Sequence, residues 1–296
     1  MPTTDKFNTI KILIKIMILI LPVCLILTCA FLFTQKLKII GRVQLSDNPD
    51  STFSNGGIIV NAGDVSTSTA DNGMFVINAG YLSDRFLEVH FQKEGYYDKI
   101  IPISINWLFN LDTTIEENIG LVILYPLSSP YIEVEGFNNP SFPPTGWDAD
   151  TVQGSYNWER GSLYKFEGTG SAVYPAYYAP SGSQARLISL PIYLGSSPVA
   201  CSMKFYMYHD PDCSGPSIGP DSLKVERSTD GINFTRIEAF RRYEPGGEYW
   251  AQHTVNFGTL SGIIYIGFLG FSQYGKDIYI DYIRVFKGQE EILIKI

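Results

Sequence analysis

From residue 37 onwards, the sequence consists mainly of short apolar runs that are interrupted by turn-forming residues. The clearest interruptions before residue 126 are Ser46-Asp47-Asn48-Pro49, Asn55-Gly56-Gly57 and Asp71-Asn72-Gly73, and no helical period lasts for three turns there. Runs rich in Val, Ile and Phe between such breaks are typical of β-strands. They predict about six or seven strands of a sandwich of about 90 residues. The runs are residues 37–45, 57–62, 74–78, 86–92, 100–105 and 120–125.

A second series of strand-like runs lies between residues 131 and 286. About ten runs are separated there by Gly, Pro and Ser clusters, which favours a jelly-roll sandwich. The longest of them are residues 185–190, 200–208, 222–228, 252–257, 263–268 and 278–285. The aromatic content of 14% and the low charged content of 18% also favour strands over helical bundles. Residues 126–130, Pro-Leu-Ser-Ser-Pro, read as a short stiff linker between the two series.

The N-terminal segment is different, because residues 16–33 form an apolar run without a charged side chain. Lysines flank it on both sides, and as a helix it would span roughly 27 Å, enough to cross a hydrocarbon core. We expect it to be a signal peptide or a retained signal anchor, two alternatives that the residues leave open. The predicted fold class is therefore all-β, with an N-terminal membrane-targeting helix (1–36), a small Greek-key β-sandwich (37–127) and a larger jelly-roll β-sandwich (131–288).

The first series of runs resembles the carboxypeptidase regulatory-like, transthyretin-like family. The resemblance is carried by four stretches in the family's order: Ile40-Gly41-Arg42-Val43, Ile58-Ile59-Val60, Ser68-Thr69-Ala70-Asp71-Asn72-Gly73-Met74-Phe75 and Lys93-Glu94-Gly95-Tyr96. Gly73 would permit positive φ in a hairpin, and Gly95 would end a strand before the buried ring of Tyr96. The resemblance implies a spacer or accessory domain without catalytic residues.

The second series resembles the choice-of-anchor J and cleaved-adhesin family, which is similar in architecture to MAM domains. The stretches that carry the resemblance are Glu135-Gly136-Phe137, Pro143-Pro144-Thr145-Gly146-Trp147, Trp158, Met207-Tyr208-His209-Asp210, Asp221-Ser222-Leu223-Lys224-Val225, Ser228-Thr229-Asp230-Gly231 and Ile280-Asp281-Tyr282-Ile283-Arg284-Val285. The chain departs from the family where paired Asp residues are common, since it has Asp281-Tyr282 there. The resemblance implies a jelly-roll binding module.

Three carboxylates are candidates for a structural Ca²⁺ site. Asp281 stands among apolar neighbours, so its charge must be paired, hydrogen-bonded or bound to metal. The first and last strands of such jelly rolls are adjacent, which would bring Glu135 close to Asp281. Carboxylates and backbone carbonyls are the ligands that Ca²⁺ prefers. Asp277 is a weaker third candidate, and the alternative is that each carboxylate simply accepts hydrogen bonds.

Some other residues allow two interpretations. We expect Trp147 and Trp158 to be buried at the end of the sandwich rather than to stack on a ligand. Asp230-Gly231 predicts a hairpin turn. Cys201 and Cys213 could form a disulfide or remain two free thiols.

Enzyme signatures are missing from the sequence, which has three histidines and neither an HExxH pair nor a Gly-x-Ser-x-Gly elbow. The group His209-Asp210-Pro211-Asp212-Cys213 could hold a metal, but it reads first as an exposed turn. A net charge of −8 disfavours nucleic acid as a partner.

The leading hypothesis is therefore a non-catalytic, exported surface protein whose jelly roll binds an extracellular protein or carbohydrate through loops at one end. A carbohydrate-binding accessory module is the alternative, and solvent-exposed Trp or Tyr side chains in a row would distinguish it. A hydrolase would need two carboxylates that converge in a cleft. A structural surface-layer component would associate with itself without a ligand.

Overall fold

The computed structural model describes residues 36–48, 54–81, 86–104, 114–212 and 221–288. Every element in these ranges is a β-strand, so the all-β prediction is confirmed. No helix of the described residues is long and apolar enough to cross a membrane. The predicted membrane segment, residues 16–33, lies outside the described residues.

Seven strands of the described residues precede the linker and form two sheets. They are β1 (Lys36–Leu45), β2 (Ile59–Ala62), β3 (Val65–Ser68), β4 (Met74–Tyr81), β5 (Phe86–Gln92), β6 (Lys99–Ser104) and β7 (Thr114–Leu124). One sheet has the order β4-β1-β7 and the other β3-β2-β5-β6. The two sheets pack face to face, with Phe75 and Phe91 in edge contact at 5.6 Å between ring centroids. We call this part the N-terminal sandwich.

The turn before β4 depends on a glycine, as its sequence predicts, but the predicted hairpin is not formed, because β3 and β4 belong to different sheets. Gly73 has φ of +79°, and a Cβ there would lie 2.0 Å from the carbonyl oxygen of Val43. Gly95 also has positive φ, and Tyr96 follows it half-buried against the core. The sequence did not predict β3, whose alternating Ser and Thr residues are largely exposed and carry no apolar signal.

Twelve strands follow the linker and form the C-terminal sandwich. They are β8 (Tyr131–Glu135), β9 (Asp148–Gln153), β10 (Glu159–Gly161), β11 (Ser171–Tyr174), β12 (Gln184–Ile188), β13 (Ile192–Tyr193), β14 (Val199–Tyr208), β15 (Ser222–Ser228), β16 (Thr235–Arg241), β17 (Trp250–Leu260), β18 (Ile263–Phe271) and β19 (Ile278–Lys287). One sheet has the order β10-β11-β19-β14-β17, with β8 on β19. The other has the order β16-β15-β18-β12-β9, with β13 on β18.

Alternating side chains place the core between these two sheets. Phe205 of β14 contacts Phe268 of β18 and Phe240 of β16, with ring centroids 5.8 and 5.4 Å apart. Trp147 and Trp158 are 8% and 4% exposed, so their prediction as core residues is confirmed. Strands β15 and β16 pair antiparallel across the Asp230-Gly231 turn, which confirms the predicted hairpin.

Cys201 is a buried free thiol, so the predicted alternative of a disulfide is wrong for this residue. It stands near the start of β14, whereas Cys213 follows the other end of that strand and lies outside the described residues. Burial raises the pKa of the Cys201 thiol to about 12, which makes it a poor nucleophile.

The two sandwiches contact each other through largely buried groups. Lys99 of β6 and Glu133 of β8 form an ion pair of 2.9 Å, with side chains 13% and 8% exposed. Lys287 of β19 lies 5.2 Å from the centre of the Tyr97 ring. Beside the ion pair is a cleft of about 350 Å³, whose lining includes Leu121, Tyr125, Glu135 and Glu167.

Candidate binding surface

Strand β14 divides its side chains between the core and solvent. Phe205 and Met207 are fully buried, whereas Tyr206 and Tyr208 point away from the core and are half-buried. Successive side chains of a strand alternate between the two faces of a sheet, so Tyr206 and Tyr208 lie on the outer face. The rings of these two tyrosines give the outer face a large apolar area.

The strands on either side of β14 add more rings to the same face. Tyr208 pairs with Trp250 of β17 and with Tyr279 of β19 in the strand register. The Tyr208 ring lies 5.4 Å from the Trp250 ring and 6.0 Å from the Tyr279 ring. Tyr282 of β19 lies 6.4 Å from Tyr206 in a stacked orientation. Aromatic rings thus cover three adjacent strands.

A loop between β10 and β11 places a second layer of rings on these tyrosines. Phe166 stacks on Tyr206 with 3.4 Å between centroids, and Tyr164 lies on Tyr208 at 4.7 Å. Tyr164 and Phe166 are two residues apart, as are Tyr206 and Tyr208, so the loop follows β14 with matching spacing. Both loop rings remain 39% exposed and form the outer surface.

Asp281 fixes this loop to the sheet. Its Oδ2 accepts hydrogen bonds from the backbone N–H groups of Phe166 at 2.8 Å and Glu167 at 3.1 Å, and its Oδ1 accepts one from Tyr282 at 2.7 Å. The side chain is fully buried beneath the loop. Burial raises the pKa of Asp281 to about 6, although the backbone N–H groups oppose that shift. The carboxylate therefore has a defined role in positioning Phe166.

We call this surface the aromatic face. It consists of Tyr164, Phe166, Tyr206, Tyr208, Tyr249, Trp250 and Tyr282. A continuous series of ring contacts of 5.4–6.2 Å runs from Tyr282 through Phe166, Trp250 and Tyr208 to Tyr249. Hydrogen-bonding groups border it: Arg284 lies over the Tyr282 ring at 4.4 Å and donates to Gln252 at 2.8 Å.

The aromatic face ends at a group of loops on one end of the C-terminal sandwich, which we call the loop end (residues 154–158, 175–183, 209–212, 242–249 and 272–277). Backbone hydrogen bonds join these loops, for example from Asp210 N–H to the carbonyl of Arg242. Tyr177, Tyr178 and Tyr274 are 57%, 67% and 67% exposed there.

Two histidines meet at the loop end. The Nε2 atoms of His209 and His253 lie 2.7 Å apart, and Glu244 Oε2 lies 3.6 Å from His209 Nε2. Burial lowers the pKa of His253 to about 4 and also lowers that of His209, so both rings are neutral at neutral pH. Our sequence interpretation grouped His209 only with the residues that follow it. It did not include His253, because the two histidines are 44 positions apart and come together only through the pairing of β14 with β17.

Of the predicted Ca²⁺ ligands, Glu135 and Asp281 are close enough for their charges to interact, whereas Asp277 lies elsewhere. Strands β8 and β19 are adjacent, as predicted, and Glu135 faces Ile283 across that pair. The Glu135 carboxylate accepts the N–H of Phe137. Asp277 instead lies at the loop end and accepts the N–H of Tyr177 at 3.0 Å. Only His209, Glu244 and His253 form a described group of three ligand residues whose atoms all lie within 4.8 Å.

Glu135 is nevertheless an unusual carboxylate. Burial raises its pKa to about 7, the Phe137 hydrogen bond opposes the rise, and the neighbouring Glu133 adds to it. It lines the cleft between the sandwiches together with Glu133 and Glu167. The carboxylate of Glu133 is already paired with Lys99.

Comparison with known proteins gives structural likeness only. No family model and no curated protein matches the sequence. The K1 cleaved adhesin domain of Lys-gingipain from Porphyromonas gingivalis W83 aligns with a TM-score of 0.41 and 16% identity, over 53% of this chain and 98% of that one. TmCBM61, solved in complex with β-1,4-galactotriose, aligns with a TM-score of 0.38 and 15% identity, over 54% of this chain and 99% of that one.

A third similar structure is the CBM22-1 xylan-binding domain of Paenibacillus barcinonensis Xyn10C. It aligns with a TM-score of 0.36 and 12% identity, over 53% of this chain and 94% of that one. At these TM-scores the likeness establishes neither a family nor a function for this chain.

Proposed function

We propose that this protein is a non-catalytic carbohydrate-binding module whose aromatic face stacks against the sugar rings of an extracellular glycan. The observation that carries this proposal is the continuous series of ring contacts from Tyr282 to Tyr249. Solvent-exposed Trp or Tyr side chains in a row are the feature expected of this function and not of an adhesin that binds protein through its loops. In this series Phe166 and Tyr249 are exposed, and the other three rings are half-buried.

The chemistry of the surface suits a neutral polyhydroxylated ligand. An aromatic ring has a negative face, which attracts the partly positive C–H groups on one side of a pyranose. Sugar hydroxyls need hydrogen-bond partners beside that contact, and Gln252 and Arg284 lie at the edge of the aromatic face. The rings are also held in place before binding, because Asp281 anchors the loop that carries Phe166. Such preorganisation lowers the cost of binding.

The proposal also includes the export of the chain and the roles of its two sandwiches. The chain would be exported by residues 16–33 and presented at the cell surface, with the N-terminal sandwich as a spacer of the carboxypeptidase regulatory-like type. The C-terminal sandwich would be a jelly roll of the choice-of-anchor J and cleaved-adhesin type. The acidic net charge of −8 supports an extracellular partner other than nucleic acid.

Calcium is a separate part of this proposal. Glu135 is the carboxylate that supports it best, because its charge is buried next to other carboxylates and a cation would compensate it. Asp281 fits less well, since its oxygens already accept three backbone N–H groups. Thermal unfolding of the full chain with Ca²⁺ and with a chelator tests this part. A midpoint raised by Ca²⁺ in the wild type but not in Glu135→Gln supports it, and an unchanged wild-type midpoint rejects it.

Tryptophan fluorescence tests the glycan proposal, because Trp250 is part of the aromatic face whereas Trp147 and Trp158 are buried in the core. A screen of the full chain against neutral polysaccharides should identify a ligand that changes the emission. Trp250→Phe should keep most of the binding but lose the emission change. Tyr193→Ala, at an exposed tyrosine of β13, is the matched control and should behave like the wild type.

Two outcomes would favour other functions. If Tyr177→Ala removes binding while Tyr249→Ala does not, the loop tyrosines form the binding surface, as expected for an adhesin. If the glycan is cleaved, and Glu135→Gln stops the cleavage, the cleft that Glu135 lines is the active site of a hydrolase.

A further inference from the structure

Three potential metal ligands from three separate segments of the C-terminal sandwich meet beside the loop end. His209 directly follows β14, His253 lies within β17, and Glu244 belongs to the loop that joins β16 to β17. The distance from His209 Nε2 is 2.7 Å to His253 Nε2 and 3.6 Å to Glu244 Oε2. The same imidazole nitrogen therefore faces both other ligands.

The surroundings hold the two rings in this arrangement. The His253 ring packs against Phe240 at 4.3 Å and Phe205 at 5.5 Å, so the core fixes its orientation. The His209 side chain is 1% exposed, so the residues around it also fix its ring. The two Nε2 atoms can share one proton in a single hydrogen bond.

We propose that His209, His253 and Glu244 bind one divalent transition-metal ion, with Zn²⁺ as the best match. Two imidazole nitrogens and one carboxylate oxygen are ligands that zinc accepts, and a water molecule would complete a tetrahedron. Ligand atoms of a tetrahedral zinc ion are roughly 3.3 Å apart, given bonds of about 2.0–2.1 Å. The two distances from His209 Nε2 lie on either side of this value, and all three ligand atoms lie within 4.8 Å of one another, so small movements of the side chains would form the site.

The chemistry of the ligands excludes the hard cations. Ca²⁺ and Mg²⁺ prefer oxygen ligands, and this group offers two nitrogens. Arg242 is a cation next to His209 and opposes metal binding. The Glu244 carboxylate offsets that charge, and Asp210, which stabilises the charged Arg242, adds a second negative charge nearby. The site is thus distinct from the predicted Ca²⁺ site around Glu135.

Metal binding would also restrain the loop that leads to the aromatic face. Glu244 is 57% exposed at its side chain, so without metal little holds it in place. The loop continues to Tyr249, whose carbonyl accepts the His209 N–H at 2.6 Å. A metal that joins Glu244 to both histidines would close this loop against β14 and β17. The site itself does not depend on the proposed glycan binding, because none of its ligands belongs to the aromatic face.

Metal titration of the full chain, prepared without a histidine tag and treated with chelator, tests the proposal. We expect one Zn²⁺ per chain, no binding of Ca²⁺ at this site, and a visible Co²⁺ spectrum of the tetrahedral type. Glu244→Gln changes an exposed side chain and should leave the fold intact, while it weakens Zn²⁺ binding at least tenfold. His253→Gln should do the same.

His90→Gln provides the matched control. His90 forms an exposed pair with Glu88, with 3.1 Å between Nε2 and Oε2, so it has the same residue types without the second histidine. Its loss should leave Zn²⁺ binding unchanged. The proposal is wrong if the full chain binds no Zn²⁺, or if Glu244→Gln and His253→Gln both bind it as the wild type does.

Discussion

The two sheets of the C-terminal sandwich share one core but present very different outer faces. The outer face of the β14 sheet carries the aromatic face. The outer face of the other sheet carries charged residues, among them Asp150, Arg186, Lys224 and Glu226. We call that surface the charged face. There, Arg186 and Glu226 form an ion pair of 2.7 Å, and Lys224 lies over the ring of Phe271.

The difference indicates the surface on which we propose that a partner binds. Charged outer residues keep a sheet soluble, and they need no further explanation. Seven aromatic residues on the opposite sheet bring the risk of aggregation unless something covers or uses them. The chain covers them only in part, since Tyr164 and Phe166 lie on the sheet tyrosines and stay 39% exposed themselves. The aromatic face is therefore the surface on which we expect binding, and the charged face serves as an internal control.

The largest loss of stability is expected when Asp281, which anchors the aromatic face, is replaced. Asp281→Ala would leave three backbone N–H groups without their acceptor and should lower the free energy of unfolding by about 3 kcal/mol. It should also weaken glycan binding at least tenfold, because Phe166 would lose its support. Denaturant unfolding and a binding titration measure both effects.

Asp277→Ala is the matched control for that change. Asp277 directly precedes β19, the strand that contains Asp281, but it accepts only one described backbone hydrogen bond, from Tyr177. We expect Asp277→Ala to lower the free energy of unfolding by about 1 kcal/mol. Equal losses in the two variants would contradict the anchoring role that we assign to Asp281.

A second carboxylate close to that anchor should show a pH dependence. The pKa of Glu135 is about 7 in the folded protein and 4.5 as its ordinary value. The folded state therefore binds this proton more tightly, and the stability that it contributes is complete below about pH 4.5 and lost as the pH rises through 7.

Glu135→Gln should remove this loss and raise the free energy of unfolding at pH 8 by about 3 kcal/mol relative to the wild type, with little gain at pH 4.5. Unfolding curves at both pH values, recorded with chelator present, measure the difference. A variant that is less stable than the wild type at pH 8 would contradict the buried-charge interpretation.

Among Asp281→Ala, Glu135→Gln and the variant that follows, the smallest stability effect is expected from that variant, which changes the charged face. Glu226→Gln removes the charge that pairs with Arg186, whose side chain is 17% exposed, and should cost about 2 kcal/mol. Glycan affinity should not change, because the charged face lies on the opposite side of the core. Denaturant unfolding and the same binding titration separate the two results, and a loss of affinity would show that the faces are not independent.

Much of this architecture could be predicted from the sequence. The predicted bounds of β5 and β15 agree with the structure, since apolar and polar residues alternate in both runs and turn residues follow each of them. The adjacency of β8 and β19 was expected from the family resemblance and is confirmed. Strand β7 begins at Thr114, well before the predicted run at 120, because its first residues include two glutamates and an asparagine.

The aromatic face could not be predicted in the same way. Its rings come from β14, β17, β19 and two loops, and only the pairing of the strands brings them together. One local signal was present: Phe205 and Met207 alternate with Tyr206 and Tyr208, which places one pair inside and the other outside. The histidine group needed the same long-range pairing of β14 with β17.

The central claim is that the aromatic face, and not the charged face, binds the glycan. Calorimetric titration of the full chain with the glycan identified by the fluorescence screen tests it most directly, with Phe166→Ala, Tyr249→Ala and Lys224→Ala alongside the wild type. We predict that each aromatic variant loses at least tenfold in affinity, about 1.4 kcal/mol, and that Lys224→Ala stays within twofold of the wild type. Aromatic variants that bind as tightly as the wild type, while Lys224→Ala binds weakly, would contradict the account.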